Sequence, residues 1–262
     1  MREKIAKRLE TAWAGKTCLC FDTLPSTNDY AKELMKTETA HGTLITADRQ
    51  TAGKGRRGRQ WEAPTGSSIL MSLCLEPKIR PEHAAGLTLV MALAAAEGIR
   101  ECTGCGPMIK WPNDIVLNGK KICGILTEMC LRSGSYGVVI GIGINVNIPE
   151  FPSELAETAT SLLLETGKEI PREALIAAVL KHFEYFYERF AQTEDLSHLK
   201  VQYEALLVNQ GKIVRVLDAK APYTGVAKGI NDAGNLIVVC EDGTEKEVYS
   251  GEVSVRGIYG YV

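Results

Sequence analysis

Residues 53–66 read GKGRRGRQWEAPTG, and the fold class turns on whether their last glycine opens a helix or a strand. Gly53, Gly55 and Gly58 match the G-x-G-x-x-G spacing of a dinucleotide-binding turn, and Glu76 lies about twenty residues on, where that fingerprint places an acid. Such a turn must open a helix, because the helix N-terminus receives the pyrophosphate. Here RQWEAPTG carries Pro64 and Gly66 and leads into SSILMSLCLE (67–76), an apolar run that reads as a buried strand. The segment is therefore a loop between two strands, and a doubly wound dinucleotide fold is set aside. Two readings stay open. One is a solvated basic loop of the kind that meets nucleic acid. The other is a lid over polyphosphate or carboxylate: glycine allows close backbone approach, arginine forks match anionic oxygens, and Trp61 offers a flat face to a heterocycle. Lys54, Arg56, Arg57 and Arg59 repel one another when nothing anionic is present, so such a lid is expected to order over its ligand.

That local charge stands in a chain that is not basic. The 262 residues hold 30 Lys plus Arg against 32 Asp plus Glu, so no global field recruits nucleic acid or an anionic membrane. No apolar run approaches the ~20 residues of a spanning helix. The N-terminal MREKIAKRLETAWAGK mixes charge throughout and lacks the apolar stretch of a secretory signal, which points to the cytoplasm. Eight scattered cysteines then read as reduced thiols. Cys102 and Cys105 form one C-x-x-C with no second pair at zinc spacing, and His41, His83, His182 and His198 make no ligand pattern, so no zinc is expected.

Before the loop, GTLITAD (42–48) is a strand. Residues 2–13 read as a short amphipathic helix and TCLCFDTL (17–24) as a strand ended by Pro25. STNDYAKELMK (26–36) is a helix with Ser26 and Asp29 in capping-box positions. HAAGLTLVMALAAAEGIREC (83–102) is apolar nearly all round, as a helix packed across a sheet must be. MIKW and IVLN flank Pro112, NGK makes a hairpin turn, and KICGILTEMC (121–130) and YGVVIGIGINVN (136–147) are strands. From about 153 to 207 the pattern is helical, with Pro171 at a first helical position and a broad apolar stripe in ALIAAVLKHFEYFYERF. Beyond Gly211 come short β segments: KIVRVL, TGVAKGI, NLIVVC, EKEVYS and EVSVRG. The expectation is an α+β fold in two domains: a mixed sheet with helices over 1–210, and a small five-stranded β-barrel over 211–262 that leans on it.

Polar residues interrupt the apolar strands at three places. KWPND sets Lys110, Asn113 and Asp114 around a proline bend, which taken alone reads first as a turn whose Asn and Asp bond the backbone. GKKICGIL opens an apolar strand with Lys121, a commonplace position for an exposed lysine. GIGINVN holds Gly141 and Gly143 in a hydrophobic strand before Asn145, where glycine is costly unless another backbone or a ligand comes close.

Together STN (26–28), Gln50, GKGRRGRQW, KWPND, KKICGIL, GIGIN and the terminal GEVSVRG resemble the biotin protein ligases in order and approximate spacing, over nearly the whole chain. The related lipoate ligases do not carry the arginine-glycine loop in this form. The resemblance implies a biotin/lipoate ligase-like catalytic domain, similar to class II aminoacyl-tRNA synthetases, with an SH3-like C-terminal barrel. It implies an enzyme that joins biotin to the α-phosphate of ATP, with Mg²⁺, and passes biotin from biotinyl-5'-AMP to a lysine of a biotin carboxyl carrier domain of a carboxylase. By position, it implies biotin contacts from Ser26, Thr27, Asn28, Gln50, Lys54, Gly55, Arg56 and Lys121. ATP contacts would come from Arg57, Arg59, Trp61, Asn113, Asp114 and Asn145; catalytic roles fall to Lys121, Arg56 and Asp114, with Asp114 also near Mg²⁺. Lys54 stands where the family usually has arginine, which keeps charge and loses the planar fork. Only about twenty residues precede CFDTLPSTN, so the chain resembles the single-function members without a DNA-binding domain, and neither DNA nor membrane is expected as a partner. A homodimer is left open. The alternatives are a lipoate or octanoyl ligase and a non-catalytic biotin-binding regulator.

Overall fold

The computed structural model describes residues 1–37, 39–55, 58, 62–132, 134–217, 222–249 and 254–257. Its main sheet is built from the alternating and apolar runs noted above. Seven strands lie in the order β1-β2-β3-β7-β6-β5-β4: β1 (Cys18–Leu24), β2 (Leu44–Gln50), β3 (Ser68–Leu75), β4 (Met108–Lys110), β5 (Asp114–Leu117), β6 (Lys120–Arg132) and β7 (Ser135–Asn145). The β1–β2 pair is parallel, joined by helix α2 (Thr27–Thr37), and the other pairs are antiparallel. All eight residues of β3 are buried, as the unbroken apolar run required of a central strand covered on both faces.

One face of the sheet carries the large core. Helix α3 (Gly86–Thr103) buries residues around its whole circumference and packs between the sheet and α6 (Arg172–Thr193). Each fully buried Leu, Val or Ile there stabilises the fold by roughly 1.5–3 kcal/mol relative to exposure. On the other face α2 lays Ala31 and Met35 against Ile45, Cys74 and Val139 in a smaller cluster.

Two expectations about helices are corrected. The N-terminal helix α1 spans only Arg2–Ala6 instead of continuing to residue 13. The carboxylate of Glu184 on α6 accepts the backbone N–H groups of Ala12, Trp13 and Ala14, and a pattern read locally could not anticipate that competition. The helical stretch from 153 to 207 is four pieces, α4 (Ser153–Ala156), α5 (Leu162–Thr166), α6 and α7 (Lys200–Ala205), and Pro171 caps α6 one residue before its start.

The C-terminal strands β8 (Ile213–Leu217), β9 (Tyr223–Ile230), β10 (Leu236–Val239), β11 (Glu245–Val248) and β12 (Ser254–Gly257) form one antiparallel sheet in the order β11-β10-β9-β8-β12. Over the described residues the expected barrel is this sheet, with no pairing between its two end strands. Its inward residues Val214, Val216, Ala227, Leu236 and Val238 belong to the same apolar core as α3. Trp111 joins the two sheets. It is 2% exposed, its Nε1 donates to Gly234 O at 3.0 Å, and its backbone N–H donates to Asn209 Oδ1 at 3.1 Å.

Candidate active site

A cavity of about 930 Å³ opens on the α2 face of the main sheet, at the upper end of the size range for small-molecule sites. Its wall includes Ser26, Thr27 and Asn28 from the start of α2, Gln50 from the end of β2, and Lys54 and Gly55 beyond it. Asn113 comes from the bend before β5, Asp114 from the first position of β5, Lys121 from β6 and Asn145 from β7. Every described residue that the sequence marked for the site is therefore part of one wall. Arg56, Arg57, Arg59 and Trp61 lie outside the described residues.

The local reasons are simple. Pro25 ends β1, and Ser26 caps α2 by accepting the Asp29 N–H on Oγ at 3.3 Å, one half of the expected capping box. The other half does not form, because the Asp29 carboxylate turns to Lys54 and Lys32, at 2.6 and 3.1 Å. Burial works against charge on Asp29, but hydrogen bonds from those two lysines outweigh it and hold its carboxyl below the usual range. The Thr27 N–H donates to Gln50 Oε1 at 2.7 Å, fixing the two strand ends together.

Asn28 is buried and fully engaged. Its Nδ2 donates to Leu126 O at 3.2 Å and to Glu128 Oε2 at 2.8 Å, and its Oδ1 accepts from Ser72 Oγ at 2.6 Å. Gly141 makes room for it: a Cβ there would stand 2.2 Å from Asn28 Oδ1. The close approach expected from another backbone or a ligand is at Gly141 made instead by a side chain of the protein. Gly141→Ala is expected to destabilise the fold by about 1–3 kcal/mol, measured by chemical denaturation; a loss below a few tenths would contradict this packing.

At the opposite end Lys121 Nζ donates to Asp114 Oδ1 at 2.5 Å. Register sets this up, since Asp114 faces Gly124 across the β5–β6 pair. With no side chain on Gly124, the lysine lies across the strand, where a Cβ would be 3.0 Å from Nζ. The Lys121 backbone is held from both sides, its N–H donating to Thr158 O and its O accepting from the Thr160 N–H. Asn145 Nδ2 donates to Thr160 O at 3.0 Å, and Asn113 Nδ2 donates to Ile125 O at 3.0 Å. One end of the cavity thus gathers amides and hydroxyls beside a Lys54 ammonium held by Asp29, and the other sets the Lys121 ammonium against the Asp114 carboxylate. Cys123 also lines it, but complete burial pushes its thiol up, so it is a neutral wall residue and not a nucleophile.

Sequence reasoning missed Ser72, Glu128, Asp29 and Lys32, which hold the first group in place. It also missed the segment from Ile148 to Ala159, which contributes Phe151, Pro152 and Leu155 to the wall. Glu128 did leave a signal, a carboxylate in the apolar run ILTEMC.

Comparison with known proteins identifies the family. The profile of the biotin/lipoate A/B protein ligase family matches residues 20–145, and that of the biotin protein ligase C-terminal domain matches residues 211–256. The bifunctional ligase/repressor BirA of Bacillus subtilis is 39% identical over 250 residues, covering 94% of this chain and 76% of that protein. The biotin–[acetyl-CoA-carboxylase] ligase of Mycobacterium tuberculosis is 33% identical over 202 residues, covering 74% of this chain and 72% of that one. Among solved structures, the biotin protein ligase of Aquifex aeolicus in complex with biotin and ATP superposes with a TM-score of 0.82 at 33% identity, covering 92% of this chain and 99% of that one. With both family profiles matched in order and relatives of this identity spanning most of its length, the chain belongs to the biotin protein ligases of the biotin/lipoate A/B protein ligase family.

Proposed function

We propose that the protein joins biotin to the α-phosphate of ATP, releasing pyrophosphate, and then transfers biotin from the mixed anhydride to a lysine of a biotin carboxyl carrier domain. The observation that carries the assignment of roles is the arrangement of the cavity: amides and hydroxyls gather at the Thr27 and Gln50 end, beside a Lys54 ammonium already engaged by Asp29, and the Lys121 ammonium and Asp114 carboxylate stand at the other. Biotin has the same division, a neutral ureido ring at one end and a carboxylate at the other.

In this reading Ser26, Thr27, Gln50 and the backbone near Lys54 and Gly55 receive the ring, and Asn28 holds that end in shape. Lys121 meets the carboxylate and the charge that builds at the α-phosphate, where a preorganised cation acts without reorganisation. Its contact with Asp114 keeps the ammonium pointed across Gly124 before substrates arrive. Asn113, Asp114 and Asn145 face the nucleotide, and Arg56, Arg57, Arg59 and Trp61 are assigned to the lid over phosphates and adenine on sequence grounds. Mg²⁺ fits the same end. Among the described residues no group of three or more His, Cys, Asp or Glu side chains gathers, and Mg²⁺ in nucleotide sites needs only one or two carboxylates beside phosphates and water. Asp114 would supply that carboxylate, and the ion would neutralise phosphate charge.

We also read the chain as two domains, 1–210 and 211–262, a division supported by the C-terminal profile beginning at Gly211. We place the protein in the cytoplasm, a compartment that keeps eight free thiols reduced. Neither alternative activity is favoured. The direct test is transfer of labelled biotin to a purified carrier domain. Label on the carrier lysine only when ATP is present is expected; label that appears equally without ATP, or not at all, would contradict the proposal.

A further inference from the structure

By strict alternation along β6, Lys121 belongs on the same face as Cys123 and Ile125, which lie in the apolar core with α3. It lines the cavity instead, its Nζ beside the place that a Gly124 side chain would take. The reason is one extra residue. Ile115 of β5 pairs with Cys123 and Val116 with Lys121, so Ile122 has no β5 partner. This is a bulge, and the parity of β6 changes across it. β6 loses its other neighbour at the same place: its last rung with β7 joins Cys123 to Ile144, and Lys121 lies two residues beyond. A strap of chain, residues 158–160, stands in for β7 there. The Lys121 N–H donates to Thr158 O at 2.8 Å, and the Thr160 N–H donates to Lys121 O at 2.9 Å.

Thr160 is 3% exposed, and all its polar groups are engaged. Its O accepts from Asn145 Nδ2 at 3.0 Å, and its hydroxyl donates to Glu165 Oε1 at 2.6 Å. Glu165, on α5, accepts with Oε2 from Asn118 Nδ2 at 2.5 Å. Asn118 is in the turn between β5 and β6, at a left-handed φ of 50°. One carboxylate therefore grips both the turn that precedes Lys121 and the strap that flanks it. Neither Glu165 nor Thr160 is part of the cavity wall among the described residues. We propose that Glu165, acting through Thr160 and Asn118, is the positioning residue that holds the β6 bulge in place and so keeps the Lys121 ammonium on the cavity face. This rests on the role given to Lys121 above and adds the cause of its placement. A bulge leaves the ladder locally disrupted, so the hold must come from outside the sheet.

Glu165→Ala removes both grips and leaves every side chain of the cavity wall intact. Single-turnover adenylation with biotin and Mg-ATP is expected to slow by about 10- to 100-fold, the cost of a reacting group displaced by about an ångström. Biotinol, the alcohol that keeps the ring and chain of biotin but has no carboxylate for Lys121, is expected to bind with unchanged affinity in calorimetric titration without ATP. Glu165→Gln keeps an acceptor for the Thr160 hydroxyl, and the Asn118 amide can turn its carbonyl to the new NH₂, so adenylation close to the normal rate is expected. A normal rate in Glu165→Ala would overturn the proposal. So would a slow rate that Glu165→Gln does not recover, or a loss of biotinol affinity as large as the loss of rate, since general loosening of the fold affects both. Should Glu165→Ala fail to fold by thermal denaturation, Thr160→Val, with Thr160→Ser as its conservative partner, decides by the same criteria. If the unaltered protein formed no adenylate, the functional reading would fall and this proposal with it; a normal rate in both the unaltered protein and Glu165→Ala would remove this proposal alone.

Discussion

Lys121→Ala is expected to slow formation of the adenylate by about 100- to 1000-fold, the largest kinetic effect of any single change in the described part of the site. Lys121 brings its ammonium to the charged end of the cavity, and its backbone is held on both sides by residues 158 and 160. The charge therefore needs little reorganisation when carboxylate and phosphate approach one another, and removing it removes stabilisation that grows along the reaction. Removal also leaves the Asp114 carboxylate, formerly 2.5 Å from Nζ, facing two anions. The loss should appear in the single-turnover rate more than in ATP binding. Near-normal single-turnover adenylation would contradict the role given to Lys121.

The largest effect on stability is expected at Trp111. Trp111→Ala removes one of the bulkiest fully buried side chains in the molecule and leaves Gly234 O without its indole donor. Large aromatic truncations in a core cost about 3–5 kcal/mol, and a chain of this length converts that to a fall in thermal midpoint on the order of 10 °C. Trp111 packs in the core shared by the two sheets, so the C-terminal strands should lose protection from hydrogen exchange together with β4. That edge is joined to the segment that leads into them, with the Ile109 N–H donating to Leu206 O and the Val208 N–H to Ile109 O. A loss below 1 kcal/mol, or exchange that changes only around residue 111, would contradict this packing.

Much of the fold was legible because periodicity and punctuation are local. Pro25, the NGK turn and the Pro64–Gly66 break set the strand limits, and the all-round apolar character of α3 announced its burial between sheet and helix. The residues assigned to the site were legible mainly through resemblance to a family; among those described, Asn113, Asp114, Lys121 and Asn145 also stood out as polar residues in or beside apolar strands, and Lys54 and Gly55 as part of a glycine-rich cationic loop, whereas Ser26, Thr27, Asn28 and Gln50 carried no such signal. What sequence could not supply was register. Asn28 and Glu128 meet across 100 positions and Lys32 and Glu128 across 96, and nothing near either residue signals its partner. Asp29 reads only as a capping residue and Lys32 carries no signal, because only the placement of β6 sets Glu128 against Lys32. The same limit explains α1, whose pattern continues past Ala6 but whose next backbone donors are taken by Glu184 from far along the chain.

A single cavity, lined by amides and hydroxyls at the Thr27 and Gln50 end and by an ammonium and a carboxylate at the Lys121 and Asp114 end, is proposed to hold a ureido ring and bring the biotin carboxylate to ATP. The decisive readout is pyrophosphate release from Mg-ATP, measured with biotin and separately with lipoate. Release is expected with biotin and none above background with lipoate, whose dithiolane ring has neither N–H nor carbonyl for the amides and hydroxyls of that end. Release with lipoate and not with biotin would contradict the proposed fit.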